Sequence, residues 1–259
     1  MNKSIHFNPK YINYRDDILG IIRNFNTSNG QTIKEHRNTI RIFGLENFDI
    51  NIKSFGRPNF INGLIYSYFR PSKAKRSFSY ANKLLDLDIN TPIPICSCEF
   101  KKNGVLNDSF YVSKQLKFDF PISEVINNPN FPNRIKILNE FVLFTFKLHE
   151  NGINFLDHSP GNTLVKVNNS KFLFYLVDLN RMRFEKMNFN SRIINFRRLT
   201  NDKEVIQILS MEYAKLCNRN ANDVFHLMIK YSNQFLARRS FRKKLKKSLI
   251  KILYLFPSS

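Results

Sequence analysis

A chain of 259 residues with 42% hydrophobic and 14% aromatic residues can bury a real core, which excludes a peptide-sized module and a disordered tail. The formal net charge of +21 points to an anionic partner, whether nucleic acid, an anionic membrane surface or a phosphorylated substrate, and the sign alone does not choose among them. Three Cys, at 96, 98 and 217, are too few for a disulfide framework, and no stretch reaches the roughly 20 apolar residues of a membrane span. With no apolar core to a signal peptide between Met1 and Asp17, a cytoplasmic protein is expected.

The first patterned region alternates. Gln31 to His36, Thr39 to Leu45 and Phe48 to Phe55, separated by turns at Arg37-Asn38 and Glu46-Asn47, predict a three-strand antiparallel meander. In its last strand Phe48, Ile50 and Ile52 share one face, so Asp49, Asn51 and Lys53 lie on the other. Pro71-Ser72 opens a helix to about Leu87, with Ala74, Phe78, Ala81, Leu84 and Leu85 at helical spacing. Thr91-Pro92-Ile93-Pro94 stops it and leads into strands near Ile95 to Lys101 and Ser109 to Leu116. The polar stretch from Leu116 to Pro132 reads as a hinge and a short helix.

Pro132 to Glu150 carries the strongest helical pattern, with Pro in the first turn, a stripe of Ile135, Leu138, Phe141, Val142, Thr145 and Leu148, and Gly152 as the stop. Leu164 to Val167 and Phe172 to Val177 predict a hairpin around Asn168-Asn169-Ser170. Helices near 201 to 218 and 220 to 236 follow, then a third from about 236 to 256. The fold class is α+β: a small antiparallel sheet with one helix, followed by a mostly helical part.

Between the long helix and the hairpin lies Asp157-His158-Ser159-Pro160-Gly161-Asn162, and Asp178 follows the hairpin. A carboxylate and an amide five residues apart across a Ser-Pro-Gly turn, with a second carboxylate brought back by a hairpin, suit magnesium and phosphate. Phosphoryl transfer needs one acid to orient the attacking hydroxyl, and an Asn and another acid to hold the metal. His149 and His158 form no ligand cluster and are expected to pack or cap.

Taken in order, these pieces resemble the protein-kinase-like fold, and within it the lipopolysaccharide kinases, including the 3-deoxy-D-manno-octulosonic acid (Kdo) kinase group. Asn51-Ile52-Lys53 is similar to the strand lysine motif, Asp157 to Asn162 to the catalytic loop, and Asp178-Leu179-Asn180 to the metal-binding Asp-Phe-Gly. Pro71 to Phe78, with Leu84-Leu85 and Ile89-Asn90-Thr91-Pro92, resembles the helix-to-strand connection of that group. The likeness spans roughly residues 30 to 200.

It implies a bilobal domain, with an N-lobe over 1–116, a C-lobe over 117–236 and a basic amphipathic helix over 237–259. Asp157 would be the catalytic base, and Asn162 and Asp178 the magnesium ligands. Lys53 would pair with the phosphates of ATP, and Ser113, Lys114, Gln115 and Leu116 would face its adenine. The acceptor would be a glycolipid: Kdo or a core sugar on a lipid A precursor, in lipopolysaccharide biosynthesis.

Departures from the kinase pattern sharpen this. Phe155-Leu156-Asp157 stands where His-Arg-Asp is usual, so the arginine that reads a phosphorylated activation loop is missing. Ser159 replaces the phosphate-contacting Lys of protein kinases, which moves the acceptor away from protein. The helix from Ser72 to Leu85 offers Lys53 no acidic partner, a role Asp178 could fill, and no Gly-rich loop appears at His36-Arg37-Asn38. These gaps motivate the alternative of an inactive, kinase-like binding module at a membrane surface.

From Arg238 to Lys251 cations without one acid interleave with Phe241, Leu245 and Leu249, continuing to Phe256. A helix of that pattern over 237–256 would lie on an anionic bilayer, placing the protein peripherally at the inner face of the cytoplasmic membrane, or would pack its stripe on the domain. Nucleic acid is not expected, because stacking platforms and known motifs are lacking.

Overall fold

The computed structural model describes residues 2–35 and 38–255, and of these the side chains from Lys3 to Leu245 together with Ser248. His36, the expected strand end, Arg37 of the expected Arg37-Asn38 turn, and the expected helix end at Phe256 lie outside the described residues. In chain order the elements are β1 (Asn2–Phe7), α1 (Arg15–Arg23), β2 (Gln31–Glu35), β3 (Asn38–Gly44), β4 (Asp49–Phe55), α2 (Phe60–Tyr68), α3 (Lys73–Asp86), β5 (Pro94–Lys102) and β6 (Val105–Lys114). Then come β7 (Phe120–Pro121), α4 (Ile122–Asn127), α5 (Arg134–Glu150), β8 (Ile153–Phe155), β9 (Thr163–Asn168), β10 (Lys171–Leu176), β11 (Met182–Phe184), α6 (Phe189–Asn195), α7 (Lys203–Cys217) and α8 (Ala221–Leu255). They form two compact units: residues 1–119 with 164–182, and residues 120–163 with 183–259.

The first unit is built on a six-stranded antiparallel sheet in the order β1-β5-β6-β4-β3-β2. The expected meander is its β4-β3-β2 half. One face carries the core: Ile50 and Ile52 of β4 are fully buried with Ile95, Cys96 and Val112, against Ile18, Leu19 and Ile22 of α1. On the other face α3 packs on β5 and β6, burying Ala74, Ala81 and Leu84. Ser72 caps α3 by accepting from the Lys75 amide at 3.1 Å, which fixes the start that Pro71-Ser72 predicted.

The β9-β10 hairpin belongs to this unit because its ends are tied there. The Leu176 amide donates to the Asn90 carbonyl at 3.0 Å, the Thr91 hydroxyl donates to the Leu176 carbonyl at 2.8 Å, and the Val167 amide donates to the Asp119 carboxylate at 2.7 Å. The Asn90-Thr91-Pro92 segment thus sets where Asp178 emerges two residues later.

The second unit centres on α5, whose buried stripe runs through Ile137, Leu138, Phe141, Val142, Thr145 and Leu148. Two expectations need correction. Pro132 precedes the helix, because Asn133 takes a left-handed conformation (φ 56°) and the helix begins at Arg134. Ile135 is 63% exposed, since the first turn buries Arg134 in its place. Arg134 caps α4, donating to the Val125 carbonyl at 3.1 Å, and pairs with Glu204 of α7 at 2.7 Å.

Gly152 ends α5 at φ 66°, and a Cβ there would meet the Glu185 carbonyl oxygen at 3.0 Å, so no side chain fits without movement. The two helices expected around 220–236 and 236–256 are one continuous helix, α8. Nothing between Ala221 and Leu255 is Gly or Pro, so no residue breaks the ladder at 236.

Candidate active site

In the first unit, alternation along β4 leaves Lys53 on the face away from Ile50 and Ile52. Its ammonium meets Asp178 at 2.8 Å, with side chains 12% and 34% exposed. Asp178 sits at φ 58°, a left-handed conformation that a short carboxylate tolerates better than most side chains. The same oxygen, Oδ1, also accepts from the Asn180 amide at 2.6 Å. Burial would push the Asp178 carboxyl up, but Lys53, through charge and hydrogen bond, with Arg181 and Lys34, outweighs it and holds the group below its usual range.

α3, whose one acid, Asp86, is its last residue, contributes a cation. Arg76 of α3 is buried at 6% exposure, donates through Nε to the Asn180 carbonyl at 3.1 Å and through Nη1 to the Pro71 carbonyl at 2.6 Å, and lies over the Tyr66 ring. Burial, then the charge of Arg70, lowers its guanidinium pKa. So α3 is fastened to the Asp178-Leu179-Asn180 turn by an arginine-to-carbonyl bond, while Lys53 takes its partner from the turn itself. Lys34, which helps depress Asp178, stands at a register shift between β2 and β3, where a bulge re-aims side chains.

Of the stretch expected to face adenine, Ser113 is buried, and the backbone amides of Lys114 and Gln115 are spent on the Ile93 and Asp49 carbonyls, both at 2.8 Å. The Gln115 side chain accepts from Asn51 at 2.9 Å and donates to the Leu116 carbonyl at 3.0 Å. The amide of Leu116 is the first in this stretch that strand pairing does not consume.

In the second unit the loop after β8 closes on itself. The His158 amide donates to the Phe155 carbonyl at 3.0 Å, and the Asn162 amide donates to the Ser159 carbonyl at 2.9 Å. The Asn162 side-chain NH₂ donates to the Asp157 carbonyl at 2.9 Å, so its amide oxygen is the atom left to a ligand. Asp157, 14% exposed, pairs through Oδ1 with Arg198 at 2.6 Å.

A buried polar relay holds the loop's entrance. Tyr213 meets His149 Nδ1 at 2.7 Å, His149 Nε2 meets Asn195 Oδ1 at 3.3 Å, and Asn195 donates to the Phe155 carbonyl at 2.9 Å. His158 is an aromatic filler among Phe141, Phe155 and Phe196, at centroid distances of 5.5, 5.9 and 6.4 Å. Burial lowers the pKa of His149 to about 4 and that of His158 to about 3, so both are neutral near pH 7. Both ring nitrogens of His149 are engaged by Tyr213 and Asn195, and His158 is 1% exposed.

Among the described residues no three His, Cys, Asp or Glu side chains converge on a metal cage. Magnesium on a nucleotide does not need one, because one or two protein oxygens suffice when phosphate oxygens supply the rest. Within the first unit the Lys53 and Asn180 bonds of Asp178 fall on Oδ1, which leaves Oδ2 for a cation, and within the second the Asn162 amide is turned by the Asp157 carbonyl.

The structure therefore joins Lys53 to Asp178, and Asp157 to Asn162, each pair within one unit. Arg76, Arg198 and Lys34 went unread in the sequence. Their only signal was position, Arg76 within Pro71 to Phe78 and Arg198 beside Phe196, and neither stands out among 41 Lys and Arg.

No family model and no curated protein matches the sequence. Among solved structures, the Rio2 kinase-ADP/Mg2+-phosphoaspartate complex from Chaetomium thermophilum gives a TM-score of 0.47 at 14% identity, covering 90% of this chain and 72% of that one. WaaP in complex with acyl carrier protein gives a TM-score of 0.61 at 12% identity, covering 90% of this chain and 98% of that one. The class is settled by that second likeness together with the sheet and helix order: this chain has a protein-kinase-like fold. More particularly, it has the fold of WaaP over nearly the whole of both chains.

Proposed function

We propose that this chain is an ATP- and magnesium-dependent phosphotransferase that phosphorylates a sugar hydroxyl in lipopolysaccharide biosynthesis. The observation that carries the reading is the 2.8 Å ion pair between Lys53 and Asp178, a strand lysine and a hairpin-delivered carboxylate brought together from 125 residues apart. The fold shared with WaaP, taken with the resemblance of the strand lysine, the catalytic loop and the Asp178 turn to the lipopolysaccharide kinases, supports a core sugar as the acceptor class. Within that class we favour Kdo or an adjacent core sugar on a lipid A precursor.

Bound magnesium would neutralise charge building on the transferred phosphate, and Asp178 and Asn162 would hold it there. Lys53 orients the nucleotide phosphates, with Lys34 adding positive charge in place of a glycine-rich loop. The acceptor oxygen bonds to the γ-phosphorus while the bond from that phosphorus to the β–γ bridging oxygen breaks, and ADP leaves with the electron pair. Asp157 orients the acceptor hydroxyl and takes its proton. The inactive-module alternative rested on the missing helix acid and the missing Gly-rich loop, and on the first of these the Lys53–Asp178 pair supports catalysis, because the lysine is held without that acid.

The basic end of α8 supports peripheral attachment to an anionic membrane through residues 237–256. Phe241 and Leu245 are 63% and 47% exposed beside Arg238, Arg239, Arg242, Lys243 and Lys244, rather than packed on the domain. No helix among the described residues is long and apolar enough to cross a membrane. Thermal denaturation with ATP tests the proposal: a rise in Tm that requires magnesium is expected, and no rise with magnesium present would contradict it.

A further inference from the structure

In the second unit, a cleft of about 710 Å³ opens between the turn following α6 and the middle of α8. Five arginines line it, Arg197, Arg198, Arg238, Arg239 and Arg242, with Phe235 on the wall and no carboxylate among its lining residues. The placement follows from local packing. α8 lies against α7 and the 3-10 turn Phe196–Arg198, pinned where the Ser232 hydroxyl donates to the Thr200 carbonyl at 2.7 Å. Successive turns of α8 then present Phe235, Arg238, Arg239 and Arg242 along one side.

Such crowding of like charge is costly without an anion to share. Burial, then the charges of Arg198 and Arg238, lowers the Arg197 guanidinium pKa. Arg198 lies with its guanidinium carbon 5.2 Å from the Phe235 ring centroid and also holds Asp157 at 2.6 Å. One side chain of the cleft therefore touches the proposed catalytic base directly. Planar guanidinium forks suit bidentate capture of phosphate or carboxylate, and five of them suit a ligand carrying more than one such group.

We propose that this cleft is the anion subsite of the acceptor: it holds a phosphate or carboxylate on the sugar ligand, and Arg198 brings the neighbouring hydroxyl to Asp157. The proposal rests on the phosphotransferase reading and narrows it, because it requires an acceptor sugar that is already anionic. A neutral sugar of the same size would lack the group that the arginines bind.

The test uses the full chain and calorimetric titration with three probes: a deacylated glucosamine disaccharide bearing two phosphates and Kdo carboxylates, the same saccharide dephosphorylated and carboxyl-reduced, and phosphatidylglycerol vesicles. Arg238→Gln/Arg242→Gln is compared with wild type, and Arg238→Lys/Arg242→Lys keeps the charge without the forks. Both changes fall on exposed helix positions, and circular dichroism melting checks the fold. Wild type should bind the charged saccharide at least about tenfold more tightly than the neutral one. The Gln variant should lose about 10- to 100-fold and the Lys variant part of that, with magnesium-ATP binding unchanged.

Equal affinity of wild type and Gln variant for the charged saccharide, or no binding by wild type, overturns the cleft assignment while leaving ATP binding as a separate readout. Loss confined to vesicle binding also overturns it, since the arginines would then serve the lipid surface alone. Absence of magnesium-ATP binding in wild type would instead sink the phosphotransferase reading, and the saccharide titration would still decide whether the cleft takes anions.

Discussion

Among the candidate site residues each unit sets a carboxylate against a cation, Asp178 against Lys53 and Asp157 against Arg198, and the two pairs are built differently. Lys53 projects from the middle of a six-stranded sheet and Asp178 from a strained turn that Thr91, Asn180 and Arg76 brace, so the pair is fixed by backbone pinned on several sides. Asp157 sits on a short loop closed by its own hydrogen bonds, and its partner Arg198 comes from a 3-10 turn that also faces an open cleft. On the proposed function, the first pair would serve a nucleotide whose phosphates do not vary. The second would serve an acceptor that must displace or share the arginine before chemistry starts.

The most damaging test of that contrast is Asp157→Asn, which keeps the side chain's shape but removes the proposed base. A loss of about 10²- to 10⁴-fold in kcat is expected, with magnesium-dependent ATP binding retained. Steady-state transfer kinetics beside nucleotide titration check it, and loss of nucleotide binding would erase the distinction between the two pairs.

Arg76→Leu should act through stability of the first unit. It strands the Pro71 and Asn180 carbonyls, at about 1–3 kcal/mol each. Urea denaturation should show a loss of about 2–4 kcal/mol, and a change below about 0.5 kcal/mol would mean that the turn bearing Asp178 is braced elsewhere.

Arg198→Gln should raise the acceptor KM about tenfold and leave the KM for ATP unmoved. An equal rise in both constants would show that the second pair serves the nucleotide as well.

The smallest effect concerns the aromatic filler behind Asp157. His158 has a folded pKa of about 3 and an unfolded one near 6.5, so the unfolded chain binds the extra proton. Its contribution is whole above about pH 6.5 and is lost progressively as pH falls toward 3, with His149 acting the same way down to about 4. Asp178, held low by Lys53, loses its contribution only below about pH 4, as pH falls through its folded pKa. His158→Phe should therefore flatten the fall of Tm between about pH 6.5 and 4.5, and an unchanged slope would show that His158 does not drive it.

What could be read from the sequence follows from how local each signal is. The meander, α3, α5 and the hairpin carry their own periodicity over 10 or more residues, and Lys53, Asp157, Asn162 and Asp178 gained meaning from their order along the chain. β1 went unread because its six residues become a strand only by pairing with β5, from Asn2 with Lys101 to Phe7 with Cys96. α1 spans nine residues with Gly20 inside, too short to declare a stripe, although Ile18, Leu19 and Ile22 complete the core under β4. Arg76 and Arg198 failed for the same reason at the site. Their partners lie 104 and 41 residues away, and a basic residue in so basic a chain announces nothing until its partner is seen.

Transfer of labelled phosphate from ATP to Kdo-bearing lipid A, by wild type and by Asp178→Ala, bears most directly on the central claim. Magnesium-dependent incorporation by wild type, reduced at least about 1000-fold in Asp178→Ala, is the predicted result. Equal incorporation by both proteins would contradict the assignment of the Lys53–Asp178 pair as the nucleotide and metal site.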